Sequence, residues 1–367
     1  MSSLFYRGLA VSALGVSVLV AGCGGTSSTS TSPSAAPVDV GTGSLQGSGS
    51  SFVKPYIDAA SFQYTALHSG VTVNYPGGGS SQGIKDFTNK TVDFGCSDVP
   101  MKETEITAAG GAASLVEIPT ALGTVAVAYN LPGYSGKINL DGGTLASIYL
   151  GKVKKWNDPA IAALNSGASL PNKDIAVQHR SDGSGTTYIF TDYLSTVSPD
   201  WKSGPGKGKA ISWPSGTGSP GNSGVGNAVA NTDGSIGYVE LAYVLQAGGK
   251  VNMAYLKNKD GKLLQASAAG GSAAAAKASG ISPTNFSIVD QSGATSYPIA
   301  GFTWCFLRTD QADAAKGKAV VYLFKDLAGD GQQYGKPLGY SPLPKDVTDL
   351  ATTTLKTIKS AGKAILS

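Results

Sequence analysis

The sequence repeats one local pattern: a short apolar run, a turn rich in glycine and serine, and then a stretch with helical apolar spacing. Residues 71–75 precede the turn 76–80, and residues 175–178 precede the turn 179–185. Beyond the second turn, one helical face would carry Ile189, Phe190, Tyr193, Leu194 and Val197. Strands that alternate with helices predict an α/β fold with mostly parallel sheets.

Further elements fit the same pattern. Residues 53–67 predict a helix with Pro55 in its first turn, where proline is tolerated. Residues 125–129 and 236–240 predict strands, and residues 346–363 predict a closing helix. In α/β sheets ligands bind where the carboxyl ends of strands lead into helices, so the glycine- and serine-rich turns are the expected site.

The length of 367 residues is too great for one ordinary core and suits two lobes. The 50 glycines and the 14% of charged residues indicate a globular chain with many tight turns. The net charge is only +4 and no long basic run occurs, so nucleic acid is not an expected partner.

The amino-terminal residues are expected to direct export. An uncharged apolar run at 9–21 follows Arg7 and is short for a membrane span. Small residues then precede Cys23, which resembles the lipobox of bacterial lipoproteins. We therefore predict a signal peptide at 1–22, lipid on Cys23, and a flexible tether rich in serine and threonine at 23–44. The alternative is a plain secretory signal with an incidental cysteine.

Two further cysteines, Cys96 and Cys305, lie in the strand-like runs 92–98 and 303–308. Export would allow them to oxidise. A disulfide between them and two buried free thiols are both open from the sequence.

Serine occupies three predicted helix starts, each preceded by glycine: Ser51, Ser80 and Ser184. A helix start leaves backbone N–H groups unpaired and carries partial positive charge. A serine hydroxyl adds a donor, and glycine allows close approach, so such starts can bind an anion. Each serine alone could equally be a helix N-cap.

Arginine is scarce, and Arg180 is the arginine that lies in a glycine- and serine-rich turn at a strand end; Arg7 and Arg308 do not. The guanidinium group is a planar fork of donors suited to an oxyanion. Asp182 could hold that fork in place. The alternative is a surface ion pair between Arg180 and Asp182.

An acidic residue, Asp98, also ends a strand, at 92–98, and precedes a predicted helix at 102–108. It could be an N-cap. Inside an anion site, however, a carboxylate only accepts hydrogen bonds. It therefore favours an anion that carries a proton, such as phosphate, over one that does not, such as sulfate.

The sequence also contains an arrangement that resembles the active site of an esterase. Residues 79–83 match the nucleophile elbow of hydrolases, with Ser81 as the nucleophile. A triad would need a later histidine, but His68 precedes the elbow and no histidine follows His179. No phosphate-binding Walker lysine motif and no metal-ligand spacing occur, so no catalytic role, cofactor or metal is expected.

Several segments in order resemble those of PstS-type phosphate-binding proteins of bacterial phosphate ABC importers, from about Leu45 to the end. They are residues 47–52, 75–81, 92–98, 148–157, 179–186 and 234–240. The resemblance implies a type II-like periplasmic-binding-protein fold with a hinge between two lobes, at 45–126 plus 290–367 and at 127–289. It also implies the phosphate ligands Ser51, Phe52, Ser80, Asp98, Arg180, Ser184, Gly185 and Thr186, with Asp182 supporting Arg180.

The same resemblance implies phosphate transport, and we expect a monomer. The lipobox at Cys23 predicts its location at the outer face of the cytoplasmic membrane or in the periplasm. Its partners would be the permease and ATPase subunits of the importer. The remaining alternatives are a phosphatase or esterase built on Ser81, a surface adhesin or signalling lipoprotein, and a receptor for sulfate or another tetrahedral oxyanion.

Overall fold

The computed structural model describes residues 38–366. The strands are β1 (Gly43–Gly49), β2 (Val71–Asn74), β3 (Phe94–Ser97), β4 (Leu115–Asn130), β5 (Asn139–Leu140), β6 (Ala176–Arg180), β7 (Thr217–Ser219), β8 (Ser235–Glu240), β9 (Asn252–Met253), β10 (Tyr255–Lys257), β11 (Leu263–Leu264), β12 (Ala300–Arg308), β13 (Lys359–Ser360) and β14 (Lys363–Ala364). The α-helices are α1 (Lys54–Leu67), α2 (Ser80–Thr88), α3 (Glu103–Ala108), α4 (Gly142–Tyr149), α5 (Pro159–Leu164), α6 (Gly185–Val197), α7 (Pro199–Ser203), α8 (Gly221–Asn231), α9 (Leu241–Gln246), α10 (Ala268–Ala275), α11 (Ala314–Leu327) and α12 (Lys345–Leu355).

The long strand β4 organises the main sheet, whose order is β2-β1-β3-β12-β4-β8-β6-β7 with β9 also beside β4. Residues 115–124 of β4 pair with β12, and residues 125–130 pair with β8. We call β2, β1, β3, β12 and residues 115–124 the first half-sheet. Residues 125–130 with β8, β6, β7 and β9 form the second half-sheet.

The strand directions place the carboxyl ends of strands in the first half-sheet opposite those of strands in the second. β1 and β3 run parallel, and β12 lies antiparallel between β3 and β4, so β1, β3 and β4 share one direction. β8 is antiparallel to β4, and β6 is parallel to β8. The carboxyl ends of β1 and β3 therefore point toward the second half-sheet, and those of β6 and β8 point toward the first.

The predicted parallel pairing is found toward both edges of this sheet, where helices connect the strands. The centre is antiparallel, because β12 returns from late in the chain and enters between β3 and β4. Sequence periodicity predicts the strands and the helices that connect neighbouring strands. It does not predict that β12 enters the sheet between β3 and β4.

The fold begins earlier than the predicted limit of residue 45. Val40 is buried, the Thr42 N–H donates to the Ala315 carbonyl at 3.3 Å, and β1 starts at Gly43. The last part of the predicted tether, 23–44, thus belongs to the folded unit. The signal peptide at 1–22 and the lipidation residue Cys23 lie outside the described residues. Between residues 38 and 366, no helix has the length and apolarity needed to span a bilayer.

The closing helix is shorter than the predicted 346–363. α12 ends at Leu355, and β13 and β14 follow as an antiparallel hairpin. Ala361 and Gly362 have φ angles of 48° and 76°, which helical backbone does not adopt. This two-residue turn of positive φ matches the twist of a hairpin.

A disulfide joins Cys96 of β3 to Cys305 of β12, which are directly opposite in the strand register. Both residues are fully buried. Because side chains two residues apart share a face, the same register places Asp98 opposite Thr303, and the Thr303 hydroxyl donates to Asp98 Oδ1 at 2.7 Å. The disulfide therefore ties together the two strands that carry this polar pair.

We expect neither Cys96 nor Cys305 to react with a thiol reagent in unfolded, unreduced protein, and both to react after reduction. The bridge closes a sequence separation of 209 residues. Its reduction should therefore lower the free energy of unfolding by about 2–5 kcal/mol. Chemical denaturation with and without reductant measures this change, and two reactive thiols before reduction would refute the bridge.

Candidate anion-binding site

The turns after β1, β2 and β3 meet those after β6 and β7 between the two half-sheets. Ser80, the first residue of α2, stands at the centre of this contact. Its Oγ accepts hydrogen bonds from the N–H of Gly185 at 2.9 Å and of Asp98 at 3.3 Å. The Ser81 N–H also donates to the Gly183 carbonyl at 2.9 Å. The starts of α2 and α6 are therefore in direct contact.

Glycine is required for this approach at two positions. Gly79 has a φ of 93°, and a Cβ there would lie 2.2 Å from Asp182 Oδ2. A Cβ on Gly185 would lie 2.5 Å from Asp98 Oδ2 and 2.6 Å from Ser80 Oγ. Any side chain at either position would push the two half-sheets apart.

Asp98 is an acceptor surrounded by donors. Its carboxylate is buried and accepts from the Ser50 hydroxyl at 2.6 and 2.7 Å as well as from Thr303. Burial raises the pKa of Asp98 to about 6, although the hydrogen bonds from Ser50 and Thr303 and the charge of Arg180 oppose the rise. The N-cap of α3 is Lys102, so Asp98 is not a helix cap.

Arg180, at the end of β6, is a buried cation. Its side chain is 1% exposed, which excludes the surface ion pair considered from the sequence. Nε donates to Asp182 Oδ1 at 2.7 Å, a second guanidinium nitrogen donates to Asp182 Oδ2, and Nη1 lies 3.4 Å from Thr186 Oγ1. Asp182 also accepts from the Gly221 N–H at 3.0 Å. The predicted support of Arg180 by Asp182 is present in this geometry.

The ionisation of Asp182 follows from this pairing. Partial burial opposes its charge, but the hydrogen bonds and the charge of Arg180 outweigh burial and hold the pKa of Asp182 below its usual value. Asp182 is therefore a fixed anion that orients the guanidinium fork, whereas Asp98 is the carboxylate whose proton occupancy can change near neutral pH.

Ser51 is linked to Thr186 through a residue that sequence reasoning missed. Asn222, near the start of α8, donates from its backbone N–H and from Nδ2 to Ser51 Oγ, both at 3.0 Å. The same Nδ2 lies 3.0 Å from Thr186 Oγ1. The Tyr243 hydroxyl donates to the Ser51 carbonyl at 2.7 Å. These contacts again join the first half-sheet to the second.

The remaining predicted ligands have local contacts. The Ser184 hydroxyl accepts from the Thr187 N–H at 3.0 Å and is the N-cap of α6, as the capping alternative expected. The Phe52 N–H donates to Ser50 Oγ at 3.0 Å. By contrast, Ser51 and Ser80 do not cap: the N-caps of α1 and α2 are Val53 and Gly79.

Five of the predicted residues thus converge into one buried cluster, namely Ser51, Ser80, Asp98, Arg180 and Thr186. Hydroxyl groups come from Ser51, Ser80 and Thr186, and charge comes from Arg180. The starts of α2 and α6 add the partial positive charge of a helix amino terminus. An anion is the ligand that this chemistry suits, and Asp98 contributes a buried carboxylate beside the donors.

Comparisons with known proteins show the family of this chain. A family model described as a PBP superfamily domain matches residues 30–324. The phosphate-binding protein PstS of Xylella fastidiosa (strain 9a5c) is 41% identical over 306 residues, which cover 83% of this chain and 82% of that protein. The phosphate-binding protein PstS of Pasteurella multocida (strain Pm70) is 40% identical over 326 residues, which cover 88% and 93%. The chain belongs to the PstS family.

A solved structure supports the architecture of this family. PfluDING, a high-affinity periplasmic phosphate-binding protein with bound phosphate, matches with a TM-score of 0.70 at 22% identity, over 85% of this chain and 93% of that one. This similarity confirms the predicted two-lobe α/β fold class. The family prediction is confirmed as well, and its named members are binding proteins, in line with the prediction of a chain that is not an enzyme.

The hydrolase alternative finds no support in the positions of the histidines. The His179 ring stacks on Trp213 with centroids 4.6 Å apart, and the His68 ring contacts Tyr64 at 4.5 Å. Neither ring has a hydrogen bond to Ser81 within residues 38–366. Without a neighbouring base, a serine hydroxyl is not activated as a nucleophile.

Proposed function

We propose that this chain captures inorganic phosphate between two lobes outside the cytoplasm and delivers it to a phosphate ABC importer. Membership of the PstS family supports this function. The observation that carries it is the buried cluster in which Asp98 contacts Ser80 and the Arg180 guanidinium contacts Thr186. The permease and ATPase subunits of the importer are the proposed partners, and lipid on Cys23 is the proposed anchor.

The proposed lobes are residues 45–126 plus 290–367 and residues 127–289. The partner change of β4 between residues 124 and 125 supports a hinge at the first crossing. In this division Ser51, Ser80 and Asp98 belong to one lobe, and residues 180–186 to the other. A phosphate ion that contacts both would favour the closed form, because the open form lacks half of the contacts.

Phosphate calorimetry and thermal unfolding test this function directly. We expect saturable binding of inorganic phosphate and a raised melting temperature. At a free concentration about 1,000 times the dissociation constant, binding stabilises the folded chain by about 4 kcal/mol. Sulfate at equal concentration should have a much smaller effect.

Each rival predicts a different outcome of the same experiments. Turnover of a chromogenic phosphate ester would favour a hydrolase built on Ser81. Equal binding of sulfate would favour a general oxyanion receptor. No response of the melting temperature to either anion would contradict the proposal and favour an adhesin or a signalling lipoprotein.

A further inference from the structure

A second contact between the proposed lobes lies apart from the anion cluster. Lys209 Nζ lies 2.8 Å from Glu105 Oε1, and the Lys209 side chain is only 9% exposed. Glu105 belongs to α3, which follows the turn of Asp98, whereas Lys209 lies between α7 and β7. This ion pair joins an element next to the first half-sheet to one that packs on α6.

The backbone around Lys209 is fixed to α6. The Lys209 carbonyl accepts from the Ser184 N–H at 2.8 Å, and the Gly208 N–H donates to Thr191 Oγ1 at 3.2 Å. Lys207 also pairs with Asp192 at 2.6 Å. The backbone of Lys209 is therefore held against Ser184, the N-cap of α6, and cannot shift without disturbing the start of that helix.

Glu105 is held equally well on the opposite side. Its Oε2 accepts from the Lys102 N–H at 2.8 Å, which completes a capping box at the start of α3 and leaves Oε1 for Lys209. Glu117 of β4 accepts from the Met101 N–H at 2.7 Å, and the charges of Glu105 and Lys209 both act on it. Lys209 therefore meets Glu105 in a position that the start of α3 fixes.

We propose that Glu105 and Lys209 form a latch that holds the two lobes closed and slows the release of phosphate. The inference rests on the proposed function, since it requires a ligand and two lobes that separate. Opening would break an ion pair between α3, which follows the turn of Asp98, and a segment that is hydrogen-bonded to the start of α6. Both residues are positioning residues, since neither belongs to the anion cluster.

The test is the release rate of radiolabelled phosphate from the full chain after dilution into excess unlabelled phosphate. Glu105→Gln keeps an acceptor for the Lys102 N–H and removes the charge, so we expect release about tenfold faster with little change in the association rate. Lys209→Met should accelerate release at least as much, because it removes the cation of the pair that joins the two proposed lobes. Lys209→Arg keeps the charge and should restore slow release.

A matched control is Lys152→Met, which breaks the exposed ion pair of Lys152 with Asp200 inside one proposed lobe. This variant should release phosphate at the wild-type rate.

Absence of phosphate binding by the wild type would refute the proposed function and the latch together. Normal wild-type binding with unchanged release from both Glu105→Gln and Lys209→Met would refute the latch alone. Equal acceleration by Lys209→Arg and Lys209→Met would also refute it, since charge would then not matter.

Discussion

Replacement of Arg180 by alanine is expected to lower the affinity for phosphate by two to three orders of magnitude. Arg180 is a buried cation in the cluster, and its guanidinium is already oriented by Asp182 through two hydrogen bonds. Removal of one partner from a buried charge pair between protein and ligand typically costs about 2–5 kcal/mol of binding free energy, and each 1.4 kcal/mol is about a tenfold change in affinity. Calorimetry with inorganic phosphate measures the loss.

Arg180→Lys provides the graded comparison. Lysine retains the charge but not the planar fork, so it cannot bind Asp182 in the same bidentate manner. We expect an affinity between those of the wild type and of Arg180→Ala. The melting temperature of each ligand-free variant shows whether the fold is preserved. Near-normal phosphate affinity in a folded Arg180→Ala variant would remove Arg180 from the site.

The sequence was sufficient to predict the local parts of this site. Glycine- and serine-rich turns at strand ends were predicted to be the site, and the structure brings those after β1, β2, β3 and β6 together. The capping alternative applies to Ser184, whose hydroxyl binds the Thr187 N–H. It does not apply to Ser80, whose hydroxyl accepts from residues distant in the chain. Helical periodicity cannot separate these two cases, because both serines lie at helix starts.

The missed residues are those whose role depends on distant contacts. Thr303 reaches Asp98 only because β12 inserts beside β3, and Asn222 follows a strand of three residues that shows no periodicity. Ser50 lies beside the predicted Ser51, yet alternation along the chain cannot tell which hydroxyl faces Asp98. The sequence does hold one signal for Thr303. A disulfide between Cys96 and Cys305 would set these residues opposite each other in antiparallel strands, which places Thr303 opposite Asp98.

Replacement of Asp98 by asparagine is expected to raise the affinity for sulfate about 10- to 100-fold and to lower phosphate selectivity accordingly. Oδ2 of Asp98 lies against Gly185, on the side of the anion cluster. Ser50 and Thr303 already donate to Asp98. A fully deprotonated anion offers no donor to the remaining lone pairs of this carboxylate and repels its charge, at a cost of about 1–3 kcal/mol or more. The asparagine amide would donate a hydrogen bond to that anion instead. Competition titrations of phosphate against sulfate measure the change.

Asp182→Asn is the matched control, since it also removes a carboxylate near the site but not the acceptor that faces the anion. It should weaken the binding of phosphate and sulfate together, because it acts through Arg180. Unchanged selectivity in Asp98→Asn, or an equal change of selectivity in Asp182→Asn, would contradict a proton test by Asp98.

The same proton test predicts how selectivity depends on pH. Burial raises the pKa of Asp98 to about 6, so its carboxylate takes up a proton as the pH falls through that value. The neutral carboxyl group then donates a hydrogen bond, and the penalty against sulfate disappears. Sulfate should therefore bind the wild type more tightly at about pH 5 than at about pH 8. Asp98→Asn cannot titrate at this position, so its sulfate affinity should lack that dependence, and a parallel dependence in both proteins would assign it to another group.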